Sequence, residues 1–135
     1  MTRSELVLVM LACAGGKPYT PAQLQRAVFC ASSHPCVLDD GTAFNFAGCD
    51  YGLHDPDVFT EAQALQSTGD AVITPPAIGC RAAYAASDAG LRRGRDILME
   101  IAAPVRQCLH QFAVEVHRQP QGRYPFRRIR CCGEC

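Results

Sequence analysis

The strongest constraint on the fold of this chain is a series of helix-start signals, each followed by apolar residues at helical spacing. Thr20 before Pro21 is one such start, because threonine caps helices and proline at the first helical position lacks only an amide that would be unpaired anyway. Asp55, Pro56 and Asp57 form another, with carboxylates where the helix dipole favours them. The apolar residues that follow are Leu24, Val28 and Phe29 in the first case and Val58, Phe59, Ala62 and Leu65 in the second. The sequence therefore predicts two amphipathic helices.

An apolar run near the N-terminus predicts a further helix ahead of these two. Residues 6–14 are all apolar, which favours a buried first helix over residues 4–14, with Ser4 as its N-cap and Gly15-Gly16 as its end. A secretory signal is the alternative, because Arg3 precedes the run and small residues end it. Glu5 weakens the positive charge that such a signal needs. Nine apolar residues are also too few to cross a bilayer, which needs about 20, so no membrane-spanning segment is predicted.

The remaining elements are short strands and two later helices. Residues 71–74 and 82–85 predict a β-hairpin, and residues 42–50 predict a short strand or an extended arm. Ser87 is expected to cap a helix that runs to about residue 101, and Pro104 to open the last helix. The apolar face of that last helix consists of Val105, Leu109, Phe112, Ala113 and Val116. The predicted fold class is mainly α with a small β-hairpin, an α+β arrangement.

Two motifs resemble those of bacterial winged helix-turn-helix proteins. Leu24-Gln25-Arg26 with Phe29 is similar to a Leu-Gln-Lys helix, and Tyr51-Gly52 followed by Val58-Phe59 is similar to a Tyr-Gly-Pro turn, although Leu53 stands where a proline is typical. The pattern resembles that of Panacea-type antitoxins and of small uncharacterised winged-helix regulators. It covers roughly residues 4–90.

The resemblance implies a winged helix-turn-helix with additional C-terminal helices. The expected organisation is a winged-helix domain over residues 1–103, a C-terminal helix over residues 104–118 and a basic, cysteine-rich tail over residues 119–135. The resemblance implies roles in the core and in turns for five residues: Leu24, Phe29, Tyr51, Gly52 and Phe59. The implied function is that of a DNA-binding transcription regulator or antitoxin, and we expect a homodimer formed through the first and last helices.

The distribution of charge decides where DNA would bind. The net charge is zero, but residues 1–70 hold three basic and eight acidic side chains, whereas residues 71–135 hold ten and five. Because phosphate neutralisation supplies most of the affinity for DNA, the second half is the expected contact region. Gln63 and Gln66 are the candidates for contacts to base edges. The arginines expected to bind phosphate are Arg92, Arg93 and Arg95 together with Arg123, Arg127, Arg128 and Arg130.

An acidic helix face supports a second hypothesis. Asp55, Asp57 and Glu61 lie on the helix that should read the groove, where they would repel phosphate. In this alternative the protein is a protein-binding winged-helix module, and the acidic face engages or inhibits a basic partner such as a toxin or a nucleic-acid enzyme.

The nine cysteines predict little chemistry. Their number is odd and most have no metal-like spacing, so we expect a reduced, cytoplasmic protein rather than a secreted disulfide protein. Cys132 and Cys135 form a Cys-x-x-Cys pair, a weak indication of zinc, for which His110 and His117 are the remaining candidate ligands. No phosphate-binding glycine loop, carboxylate dyad or nucleophile elbow occurs. We therefore predict neither an enzyme nor a cofactor.

Overall fold

The computed structural model describes residues 1–34, 37, 44–49 and 52–119. The helices of this part are α1 (Arg3–Cys13), α2 (Pro21–Ser32), α3 (Pro56–Ser67), α4 (Asp88–Met99) and α5 (Ala103–Arg118). Its strands are β1 (Ala47–Cys49), β2 (Gly52–His54), β3 (Ala71–Thr74) and β4 (Ala83–Ala86), which form the antiparallel hairpins β1–β2 and β3–β4. The predicted class, mainly helical with a small antiparallel hairpin, is confirmed for these residues.

Helix α1 lies at the centre of the protein. Its residues 6–12 are all buried, and α2, α3, α4, α5 and β4 contact it. An uninterrupted apolar run suits this position because these residues meet protein on every side. The N-cap is Thr2 and not Ser4 as expected. The Thr2 hydroxyl accepts from the Glu5 amide at 3.1 Å and the Glu5 carboxylate accepts from the Thr2 amide at 3.2 Å, a reciprocal pair that Ser4 does not form.

Helices α2 and α3 begin where they were predicted to begin. At the start of α2, the Thr20 hydroxyl accepts from the Gln23 amide at 3.2 Å, and the Gln23 side chain accepts from the Thr20 amide at 2.9 Å. At the start of α3, the Asp55 carboxylate accepts from the Asp57 amide at 2.9 Å. These contacts satisfy amides that have no partner inside a helix, so each start is fixed by its own local sequence.

The segment between α1 and α2 adds to the β3–β4 hairpin. The Tyr19 amide donates to the Tyr84 carbonyl at 2.8 Å, and the Tyr84 amide donates to the Tyr19 carbonyl at 2.9 Å. Tyr19 is completely buried, and its hydroxyl donates to the Met10 carbonyl at 2.7 Å. Tyr19 therefore ties β4 to the end of α1.

The β1–β2 hairpin lies in the connection between α2 and α3. Within residues 42–50, predicted as a short strand or an extended arm, the structure has a strand over Ala47–Cys49, and residues 44–46 lie before it. Phe46, just before it, packs edge-on against Phe29 of α2, with ring centroids 5.2 Å apart. Of the residues that the resemblance assigns to the core, Leu24 is buried, and Phe29 and Phe59 are partly buried. Tyr51 lies outside the described residues.

Two glycines hold α4 close to its neighbours. A methyl group on Gly90 would lie 1.8 Å from the carbonyl oxygen of Asp70, and one on Gly94 would lie 2.5 Å from the Cβ of Ala12 in α1. The Ser87 side chain accepts from the Gly90 amide at 3.0 Å, which confirms Ser87 as the N-cap. Backbone packing at this distance leaves no room for a side chain.

Helix α5 contributes its apolar face to the same core. It contacts α1 and α2, and all five of its predicted apolar residues are buried. Arg106 extends from its first turn to the end of α4, where Nη1 lies 3.2 Å from the Leu98 carbonyl oxygen and 3.5 Å from that of Ile101. A cation is favourable there because the last carbonyls of a helix lack partners and carry partial negative charge.

Candidate nucleic-acid interface

The outer face of α3 carries uncharged polar side chains. Gln63 and Gln66 are exposed, as are Thr60 and Ser67. Neither glutamine side chain has a hydrogen-bond partner within the part of the chain that the structure describes. The residues that hold the opposite face in the core are Val58, Ala62 and Leu65. The two amides are therefore available to donate to, and accept from, polar groups of a ligand.

The first acidic residue of this helix is already paired. Nη1 of Arg3 lies 2.9 Å from Oδ2 of Asp57, and the Arg3 guanidinium also lies over the Phe44 ring, 4.9 Å from its centroid. The two side chains remain 31% and 52% exposed, so solvent partly screens the pair. Sequence analysis missed this pair because its members are 54 residues apart. Arg3 therefore offsets part of the negative charge expected at the start of α3.

The side chain of Asp55 is buried, so Asp55 is not part of an exposed acidic face. Its Oδ2 accepts from the Asn45 amide at 2.7 Å, and its backbone pairs with Gln25 of α2. The Gln25 side chain donates to the Asp55 carbonyl at 2.9 Å and accepts from the Asp55 amide at 3.1 Å. Asp55 and Gln25 thus join α2, α3 and the segment before β1, and Asp55 offers no surface to a protein partner.

Glu61 is the remaining member of the predicted acidic face. It is partly exposed and has no ion-pair partner within the described residues. The face that the sequence presents as three carboxylates therefore consists of one unpaired carboxylate, one paired carboxylate at Asp57 and a buried one at Asp55.

The arginines of α4 separate into two groups. Arg92 and Arg95 are exposed and lie three residues apart, which places them on neighbouring turns of one face. Arg93 instead forms an ion pair with Asp70, a residue that is mostly buried, and so holds α4 against the turn between α3 and β3. Arg123, Arg127, Arg128 and Arg130 lie outside the described residues. Arg92 and Arg95 are therefore the predicted phosphate contacts on α4 without an ion pair among the described residues, whereas Arg93 is half exposed but already paired.

The tip of the β3–β4 hairpin is exposed. Ala77 and Cys80 pair through two backbone hydrogen bonds of 3.1 and 2.9 Å, and Gly79 turns the chain with φ of +78°. Ile78 is fully exposed at this tip, and Arg81 follows it on the surface. A groove of about 340 Å³ separates the hairpin from residues 18–20. Sequence analysis assigned no role to Ile78 or Arg81.

The state of the cysteines differs in part from expectation. Cys108 is disulfide-bonded, whereas Cys13, Cys30 and Cys80 are free. The prediction that the chain is fully reduced is therefore wrong at Cys108. The cytoplasmic location stays a prediction. No helix in the described residues has the length and apolar character needed to cross a membrane.

The free thiols of Cys13, Cys30 and Cys80 should differ sharply in reactivity. Burial raises the pKa of the Cys13 thiol to about 12, and burial raises that of Cys30 to about 12 despite the opposing charge of Arg26. Since the thiolate is the reactive form, both should resist iodoacetamide at pH 8 in the folded protein, whereas exposed Cys80 should react. Peptide mass spectrometry after a timed pulse, with a urea-unfolded sample as control, measures this. Equal labelling of Cys13 and Cys80 in the folded protein would contradict it.

Both the zinc site and the homodimer stay predictions. Among the described residues no group of three His, Cys, Asp or Glu side chains is placed to hold a metal, and Cys132 and Cys135 lie outside them. His110 is exposed, but both ring nitrogens of His117 face backbone carbonyl oxygens. The homodimer formed through the first and last helices stays a prediction, and residues 6–12 of α1 are buried within the chain itself.

No family model, curated protein or solved structure matches this chain. The resemblance to winged-helix regulators and Panacea-type antitoxins therefore rests on the sequence motifs alone.

Proposed function

We propose that this protein is a winged helix-turn-helix protein that binds double-stranded DNA, as a transcription regulator or as the DNA-binding part of an antitoxin of the Panacea type. The order of elements carries the proposal: α1, the Tyr19 bridge to β4, α2, α3, and then the β3–β4 hairpin. In this arrangement α2 and α3 take the places of the helix-turn-helix pair, with the β1–β2 hairpin inserted where a short turn is usual, α3 is the recognition helix, and the β3–β4 hairpin is the wing.

The chemistry of α3 supports this assignment. Gln63 and Gln66 are exposed, and glutamine can bind adenine through two hydrogen bonds in the major groove. The Arg3–Asp57 pair reduces the repulsion that a carboxylate at the start of the recognition helix would exert on phosphate. Exposed Arg92 and Arg95 are the proposed phosphate contacts.

The protein-binding alternative has less support. It needs an acidic face, but of the three residues of that face Asp55 is buried and Asp57 is paired with Arg3, so Glu61 is the one member without an ion pair within the described chain. One partly exposed carboxylate supplies little attraction for a basic partner.

Selection of bound duplexes from a randomised DNA library tests the proposal. The full chain, at about 50 mM salt, should enrich a defined sequence. Gln63→Ala with Gln66→Ala should then weaken binding to the enriched duplex by about 10- to 100-fold, because a bidentate base contact contributes about 1–3 kcal/mol. The matched control is Gln107→Ala with Gln111→Ala, two exposed glutamines on α5, which should leave the affinity unchanged.

The salt dependence of the same binding separates phosphate contacts from base contacts. Arg92→Ala with Arg95→Ala should make the negative slope of log K against log salt less steep by about 2. It should also weaken binding to all duplexes alike. Absence of both enrichment and low-salt binding would contradict DNA binding altogether. An equal loss in the α5 control would show that α3 does not read the bases.

A further inference from the structure

The outer edge of β3 presents backbone groups to solvent. β3 and β4 form a two-stranded sheet in which Ile73 lies opposite Tyr84. Both the amide and the carbonyl of Tyr84 are bonded to Tyr19, on the side of β4 that faces away from β3. Ile73 and Tyr84 are therefore a non-hydrogen-bonded pair, and the Ile73 amide and carbonyl point away from β4 as well.

A hydrogen bond beside the hairpin supports the same register. The Ser87 amide donates to the Asp70 carbonyl at 3.0 Å, and hydrogen-bonded pairs alternate with non-hydrogen-bonded pairs along an antiparallel ladder. The bonds from β3 to β4 therefore fall at Val72 and Thr74. Among the described residues the amide and carbonyl of Ile73 have no hydrogen-bond partner.

This edge carries no charge. Residues 71–80 contain no acidic or basic side chain, although charged residues on an edge strand commonly prevent pairing with another chain. Val72 is 51% exposed, and Thr74 is exposed on the same face of the sheet. Such an edge offers a charged partner nothing to bind, but it suits a second uncharged strand.

A second copy of β3 satisfies this edge. When two copies of Ile73 face each other in antiparallel strands, the amide of each donates to the carbonyl of the other. The same register sets Val72 of each copy opposite Thr74 of the other, so that exposed side chains pack across the junction. Pairing ends at Pro75, which has no amide to donate.

The arrangement closes after two copies. The β4 edge of the sheet is already bonded to Tyr19, so the β3 edge is the one open to a partner in the described chain. A two-fold axis through the Ile73 pair uses that edge in both copies, and no edge is left for a third.

We propose that the protein forms a symmetric dimer in which β3 pairs with β3 of a second copy, giving one four-stranded antiparallel sheet. This contact differs from the homodimer predicted through the first and last helices, and it does not depend on DNA binding. Because a four-residue edge buries little surface, the self-association is weak and depends on concentration.

Sedimentation equilibrium of the full chain between about 5 and 500 µM tests the dimer. Prior treatment with iodoacetamide blocks the exposed Cys80 thiol and so prevents disulfide-linked dimers. The average mass should rise from 14.6 kDa toward twice that value. Val72→Lys brings like charges to the junction and should raise the dissociation constant about tenfold. Val114→Lys, at a position of α5 that is 48% exposed, is the matched control and should leave it unchanged.

Hydrogen exchange on the unmodified protein gives an independent result. The Ile73 amide should exchange about fivefold more slowly at the highest concentration than at the lowest, because it is bonded in the dimer alone. The Val72 and Thr74 amides, bonded to β4 at every concentration, should keep their rates.

Three results would overturn the proposal. The first is a chain that stays monomeric over the whole range of concentration. The second is a dimer that Val72→Lys weakens no more than Val114→Lys does, which would place the contact elsewhere. The third is an Ile73 amide whose exchange rate does not change with concentration.

Discussion

Gly90→Ala should destabilise the protein by about 1–3 kcal/mol or more, although alanine is normally the better helix residue. At an exposed helix position the same substitution would stabilise by up to about 1 kcal/mol, because glycine is the costlier residue to order. Here the added methyl would lie 1.8 Å from the Asp70 carbonyl oxygen, which is backbone and cannot rotate away. To relieve this clash, α4 would have to move away from the turn between α3 and β3. The Arg93–Asp70 ion pair opposes that movement.

Urea unfolding followed by circular dichroism measures this effect. Gly48→Ala is the matched control, because Gly48 has no atom near the position of a methyl group and no left-handed backbone. It should change stability by less than about 0.5 kcal/mol, as expected for an unconstrained surface site. A Gly90→Ala variant as stable as Gly48→Ala would contradict the close approach of α4 to the turn.

Gln25→Leu should lower the free energy of unfolding by about 2–5 kcal/mol, which is the second large effect. The Gln25 side chain satisfies both the amide and the carbonyl of Asp55, at 3.1 and 2.9 Å, in a buried position. Leucine is similar in size but leaves both backbone groups without a partner, and each buried unsatisfied group costs about 1–3 kcal/mol. The Asp55 carboxylate would lose its fixed position at the start of α3 as well.

Two further variants separate hydrogen bonding from packing at this junction. Gln25→Glu keeps an acceptor for the Asp55 amide but places an oxygen against the Asp55 carbonyl, so it should also destabilise at neutral pH. Gln111→Leu, at an exposed position of α5, should change the unfolding free energy by less than about 0.5 kcal/mol. If Gln25→Leu unfolds at the same urea concentration as Gln111→Leu, the junction does not hold α2 to α3.

Local signals in the sequence predicted most of the fold. Thr20 and Asp55 cap their helices through residues two or three positions away, so a short window of sequence contains the whole interaction. The uninterrupted apolar run of α1 similarly indicated burial, since no other environment suits it. The prediction of Ser4 as the cap was wrong although the sequence carries the better signal, because Thr2 is followed three residues later by Glu5, as a capping box requires, whereas Ser4 is followed by Val7.

Contacts between distant segments decide the candidate site and could not be predicted. Arg3 offsets Asp57 across 54 residues, and Gln25 reaches Asp55 across 30. Arg93 resembled an exposed phosphate contact until the structure placed Asp70 beside it. In each case the charge or amide is visible in the sequence, but its partner depends on how the helices pack. Of the three carboxylates that the sequence places on one face, Asp55 is therefore buried, Asp57 is paired with Arg3, and Glu61 is left without an ion pair among the described residues.

The proposed function requires that the outer face of α3 contact DNA. Amide chemical-shift mapping tests it most directly, with ¹⁵N-labelled full chain titrated with the duplex enriched by selection. We expect the largest changes at Gln63 and Gln66, with further changes at Ile78 and Arg81 of the hairpin tip. Changes confined to α5, or none at saturating duplex, would contradict the claim.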